Sequence, residues 1–208
     1  MSGAYDRLAG QGLDRLAALS DGIFAVAMTL LVLDLRVPVR EAHGSERALW
    51  HALADLGPQF LTYFLSFLTL GIFWLGQQAQ LDQFERGDRR SAWIHIGFLC
   101  AVALMPFSTS LLAEFVRFRL ALAVYWLNLA TLGAFLYASN EYARRAGLLG
   151  AGGEEVYALH RQRIVGYQLV YAACFALCVV DTYVSIALLI AAQLFSVLST
   201  RVSPFRRA

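Results

Sequence analysis

The 208-residue chain contains no lysine; all 17 of its basic residues are arginine. This absence excludes chemistry built on an ε-amine: a Walker-type phosphate loop, a Schiff base, a lysine nucleophile. Charge of either sign is scarce, at 15% of residues against roughly 25% in an ordinary soluble domain, while 59% are hydrophobic. So few charges cannot cover a water-facing surface, and a mean hydropathy of +0.56 points to lipid as the solvent. A net charge of +2 gives no support to a nucleic-acid partner. Cysteine is limited to Cys100, Cys174 and Cys178, which lie inside apolar runs without histidine or carboxylate company and read as packing residues. The four histidines, His43, His51, His95 and His160, are scattered without metal-ligand spacing. No Ser-His or paired-carboxylate constellation occurs, so neither an enzyme nor a cofactor is expected. The first apolar run lacks a small-x-small cleavage site and reads as a retained span.

What the chain does have is long apolar runs. A spanning helix needs about 20 apolar residues at roughly 1.5 Å each. Six segments approach this, at about 16–37, 58–78, 92–112, 120–142, 164–181 and 183–202. The expectation is an all-α membrane protein in which residues 1–208 form a single unit of six transmembrane helices. The last apolar stretch, Ile164 to Val202, is too long for one span. Its only polar cluster, Asp181-Thr182-Tyr183, marks either a tight hairpin or the middle of one long projecting helix. Pro106 is the one proline inside a span and should kink the third segment. The glycine-rich patch Gly147–Gly153 follows no strand and reads as a turn. Trp50, Trp93 and Trp126 read as interface anchors or packing residues.

Arginine distribution sets an orientation. With the N-terminus in the cytoplasm, twelve of the 17 arginines fall on inside segments, so the positive-inside rule puts both termini there. The expected location is the cell (plasma) membrane. No internal repeat of the kind found in inverted-repeat transporters is visible.

The first run carries unusual polar residues. Asp21 sits early in it, and a carboxylate at membrane depth costs at least about 2.5 kcal/mol unless paired or wet. Arg15, six residues away, cannot pair with it along one face. Asp21 is therefore either a helix-end carboxylate at headgroup level or the partner of a group on another helix or subunit. Val26, Thr29 or Leu30, and Leu33 share a stripe at helical spacing, which on pattern alone is most simply a packing surface. Gly22 marks either a close approach of helices or ordinary small-residue packing.

The spacing Arg15, Leu19-Ser20-Asp21, Thr29-Leu30-Leu31 and Pro38 resembles the first-helix signature of the transmembrane-protein-175 family of potassium channels. Leu19 stands where that family has phenylalanine. Phe73-Trp74 matches a second family pattern, but Gln77 and Gln78 occupy its histidine positions. Trp93 and Pro106-Phe107 match a third, with His95 where asparagine is usual. The match covers roughly residues 15–115.

The resemblance implies a homotetramer whose first helices line a central pore, with no Thr-Val-Gly-Tyr-Gly filter. Carried over by position, Val26, Thr29, Leu30 and Leu33 form the constriction; whether Thr29 or Leu30 points at the axis stays open. Asp34 is either an acidic pore mouth or a solvated helix end. Arg15, Ser20 and Asp21, with Trp74, Gln77 and Gln78, are implied as a structural polar network. The implied function is a potassium-permeable, weakly selective cation channel whose partners are the lipid bilayer, potassium and other monovalent cations. The alternative is a proton-coupled secondary transporter using Asp21, Glu141 and Asp181.

Overall fold

A computed structural model of the chain describes residues 12–36, 45–179 and 181–199. Val37, Pro38 and the expected helix end near 202 lie outside them. Helix α1 spans Leu13–Leu30 and tightens into a 3-10 turn over Leu31–Asp34. A short helix, α2 (Glu46–Asp55), lies inside the segment expected to be a loop. Ser45 caps it, its hydroxyl accepting from the Ala48 amide. Helix α3 (Gly57–Leu81) follows, with Pro58 in its first turn, where a missing N–H costs nothing.

The third apolar run divides into α4 (Arg89–Ala103) and α5 (Met105–Glu114), broken at Leu104. Pro106 removes a backbone donor at the break. Asn128 of the next helix, α6 (Arg119–Arg145), fills the gap from the side. Its amide donates to the Ala101 carbonyl (3.1 Å) and accepts from the Met105 amide (3.3 Å) and the Ser108 hydroxyl (3.1 Å). Helix α7 begins at Gly153 and runs to Ala176, so it starts well before the apolar stretch does; a 3-10 turn over Leu177–Val179 ends it. Helix α8 (Thr182–Ser199) starts with the Asp181 carboxylate accepting from the Val184 amide. Asp181 thus marks a helix start.

Among the described residues, four segments are long and apolar enough to cross a membrane: Leu13–Asp34, Gly57–Leu81, Arg89–Glu114 and Arg119–Arg145. The apolar stretch Thr182–Val197 is shorter. Helix α6 lies at the centre, packed on α4, α5 and α7, while α1 packs on α3, α4 and α5. The core is aromatic and aliphatic: Phe24, Leu65, Phe98, Val102, Leu122, Leu129 and Tyr171 are buried within it. Trp126 stacks on Phe175 with ring centroids 4.8 Å apart.

Polar side chains also join the helices inside this core. The Tyr125 hydroxyl lies 3.2 Å from both Ser66 and Thr69 of α3. Thr109 of α5 donates to Ser66 (2.7 Å), and Gln193 of α8 donates to Thr69 (2.6 Å). Such bonds join membrane helices where hydrophobicity alone does not, because lipid is as apolar as the partner helix.

At one end the connections are pinned. Glu85 N–H donates to the Leu148 carbonyl (2.9 Å) and Gly150 N–H to the Gln83 carbonyl (3.0 Å). Gly147, at φ +64°, supplies the left-handed turn this crossing requires. Asp88 caps α4 in a reciprocal box with Ser91 and also accepts from the Tyr142 hydroxyl.

Candidate functional site: the two faces of the first helix

Burial divides α1 lengthwise. Ser20, Phe24, Ala27 and Leu31 are buried against α3, α4 and α5, a repeat of three to four residues. The opposite face exposes Leu19, Val26, Leu30 and Leu33, at 48%, 57%, 42% and 68%. Thr29 is also exposed, and its hydroxyl donates to the Val26 carbonyl of its own helix (2.8 Å), leaving oxygen lone pairs outward. A groove along this face is lined by Leu19, Gly22, Val26, Leu30 and Ala103. A Cβ added at Gly22 would meet nothing within 4 Å. Asp34 ends the helix half-buried in the 3-10 turn.

The buried face is held at its polar end by three helices. Ser20 Oγ lies 2.7 Å from His95 Nε2 of α4, and Gln77 Nε2 of α3 lies 3.2 Å from both. The Ser20 hydroxyl also reaches the Leu16 carbonyl at 2.8 Å. All three side chains are buried. A neutral imidazole can donate or accept at Nε2 according to tautomer, so it fits between a hydroxyl and an amide. One residue on, Asp21 accepts from Trp74 Nε1 (2.8 Å) and Gln78 Nε2 (2.7 Å), both from α3. The carboxylate therefore has two donors from a neighbouring helix of the same chain. Arg15 lies exposed one turn before Ser20, outside these bonds.

His95 is the member that sequence reasoning did not place here. Its signal is periodic: beyond the capping Ser91, the buried face of α4 runs His95, Phe98, Leu99 and Val102, so a histidine precedes an apolar stripe. Glu141 and Asp181, the other carboxylates considered, are engaged elsewhere. Glu141 accepts from Arg144, Arg145 and Tyr157. Among the described residues no three histidines, cysteines or carboxylates gather as a metal site.

Residues 15–106 match the family described as "Endosomal/lysosomal potassium channel TMEM175". A potassium channel of Streptomyces collinus is 36% identical over 65% of this chain and 66% of its own length. A potassium channel of Chamaesiphon minutus is 31% identical over 83% of this chain and 87% of its own. The chicken protein named endosomal/lysosomal proton channel TMEM175 is 34% identical, and the match spans 22% of it. The crystal structure of a lysosomal potassium-selective channel TMEM175 homolog from Chamaesiphon minutus superposes with a TM-score of 0.78 over 89% of this chain and 96% of that one, at 24% identity. With an all-helical membrane fold like that structure's and relatives this similar along most of its length, the chain belongs to the TMEM175 family of ion channels.

Proposed function

We propose that the chain is one subunit of a potassium-permeable, weakly selective cation channel. In this reading residues 1–208 form a single unit of six membrane helices, and four copies arrange their first helices about a central axis. Both termini lie in the cytoplasm and the unit sits in the plasma membrane. The observation that carries the reading is the division of α1. One face is fastened to its own subunit by Ser20 and Asp21, and the other is apolar from Leu19 to Leu33 without an intrasubunit cover. One helix per subunit cannot enclose a pore, so symmetry supplies the remaining walls.

Rings of Val26, Leu30 and Leu33 then make an apolar constriction that gates by dewetting, with Thr29 oxygens beside it. Potassium sheds water more easily than sodium, which gives modest selectivity. Asp34 at the outer mouth concentrates cations. Trp74, Gln77, Gln78 and His95 hold α1 in register, and Arg15 remains at its cytoplasmic end. No catalytic step is involved.

Potassium flux from liposomes under a defined gradient tests this. Wild-type protein passes potassium, and Leu30→Ala and Leu33→Ala raise the flux. Silence of all three would overturn the reading. A parallel pH-dye measurement separates it from proton transport through Asp21, Glu141 and Asp181, whose side chains are each hydrogen-bonded in a structural role.

A further inference from the structure

A cavity of about 320 Å³ lies between α3, α6, α7 and α8, with no residue of α1 in its lining. This volume is at the lower end of the roughly 300–1,000 Å³ typical of small-molecule pockets. Its walls are mainly apolar: Ile72, Leu75, Leu136, Ile164 and Val197 contribute. Leu75 and Val197 are 60% and 42% exposed, so the opening runs sideways between α3 and α8, onto an apolar outer surface of the helix bundle. Gly76 lines the same wall, and a Cβ there would meet nothing within 4 Å. The missing side chain is part of the space.

One end of the cavity is cationic. Arg163, exposed, and His160 stand there on the same face of α7. Two bonds fix their depth. Asn140 donates to the Tyr157 carbonyl and Gln168 to the Leu129 carbonyl, so α6 and α7 run antiparallel in constant register. That register sets Arg163 level with residues 134–135 of α6. Gln80 donates to the neighbouring Leu136 carbonyl (3.0 Å), and Leu81 ends α3. Arg163 is therefore within about one helical turn of the end of α3, the depth at which arginine meets headgroups. Deeper in, the cavity is closed by the buried Tyr171.

We propose that this cavity is a binding site for an anionic phospholipid, one acyl chain entering between α3 and α8 and the headgroup phosphate resting on Arg163. The charge at the rim, the apolar interior and the lateral opening are the three requirements of such a ligand. A soluble anion would use the rim alone, and a neutral lipid the interior alone. The site is independent of which ion the chain conducts.

The test uses full-length protein in nanodiscs of phosphatidylcholine containing a minor fraction of spin-labelled phosphatidylglycerol. Wild type should retain a motionally restricted lipid that unlabelled phosphatidylglycerol displaces and that phosphatidylcholine or free glycerol phosphate does not. Arg163→Gln should weaken retention about ten-fold, as loss of a charge-assisted contact does, and Arg163→Lys should restore much of it. Gly76→Phe, which fills the space, should abolish it; Gly76→Leu serves if the larger residue prevents folding. Equal retention of phosphatidylcholine, or unchanged retention in both Arg163→Gln and the Gly76 variant, would overturn the proposal.

Discussion

Ser20 Oγ and His95 Nε2 lie 2.7 Å apart although 75 residues separate them in sequence, and Gln77 completes the triangle from a third helix. The triangle sits at one end of α1, directly beside the Asp21 bonds to Trp74 and Gln78. These contacts determine which side of α1 faces the rest of the chain.

Removing one corner of that triangle leaves buried polar partners behind. Ser20→Ala, Gln77→Ala and His95→Ala should each lower unfolding stability by about 1–3 kcal/mol. The double variant Ser20→Ala/His95→Ala should cost clearly less than the sum, since one loss already frees the other group. Denaturant unfolding in detergent measures both effects.

On the outer face of α1 a polar substitution should hydrate instead of unfold. Leu30→Ser and Leu33→Ser should increase potassium flux in liposomes while leaving unfolding stability within about 0.5 kcal/mol, as for exposed positions generally. Phe24→Ala, on the buried face, should do the reverse, costing about 3–5 kcal/mol without raising flux per folded channel.

Asp88 supplies a pH dependence. Burial raises its proton affinity, but the Ser91 backbone amide, the Tyr142 hydroxyl and the Ser91 hydroxyl outweigh that, leaving the carboxyl below its usual 3.8. A depressed carboxyl stabilises the fold above its unfolded value and loses that contribution as pH falls through the folded one. Wild-type stability should therefore drop below pH 3.8, in part through this site. Asp88→Ala should cost about 1 kcal/mol at neutral pH and flatten that portion of the acid limb. Thermal unfolding across pH 2–7 compares the two.

Gly133 sets how closely α6 and α7 approach. A Cβ there would stand 1.8 Å from the Gln168 amide nitrogen, which donates to the Leu129 carbonyl. Gly133→Ala should destabilise by about 1–3 kcal/mol through overpacking. Gly133→Ala/Gln168→Ala should recover part of the loss, because the clash is with that side chain. Thermal unfolding of the two variants checks this.

The helices and the apolar runs are related but not identical. Hydropathy reports where lipid can be, so it finds the four long apolar segments among the described residues and misses helix that carries charge. Residues Gly153 to Arg163 are charged and yet helical, and α7 therefore starts earlier than its apolar stretch. Helix α2 has ten residues, too few for a span, and its Ser45 cap marks where it starts. At the site, Asp21 is legible as a carboxylate within an apolar run, whereas Ser20, Trp74, Gln77 and Gln78 come only with the family resemblance. His95 was not legible, because its meaning lies in what faces it across two other helices. Exposure along α1 was equally invisible, since an apolar stripe looks the same whether it is covered or bare.

The break at Leu104 has a mechanical consequence. Asn128, which splices it, belongs to α6, and α6 is paired along its length with α7. Helix α5, on the far side of the break, touches both α1 and its terminal 3-10 turn. The joint thus hangs on a single carboxamide, which ties the α6–α7 pair to α5, and α5 in turn to the end of α1 that carries Leu31 and Asp34.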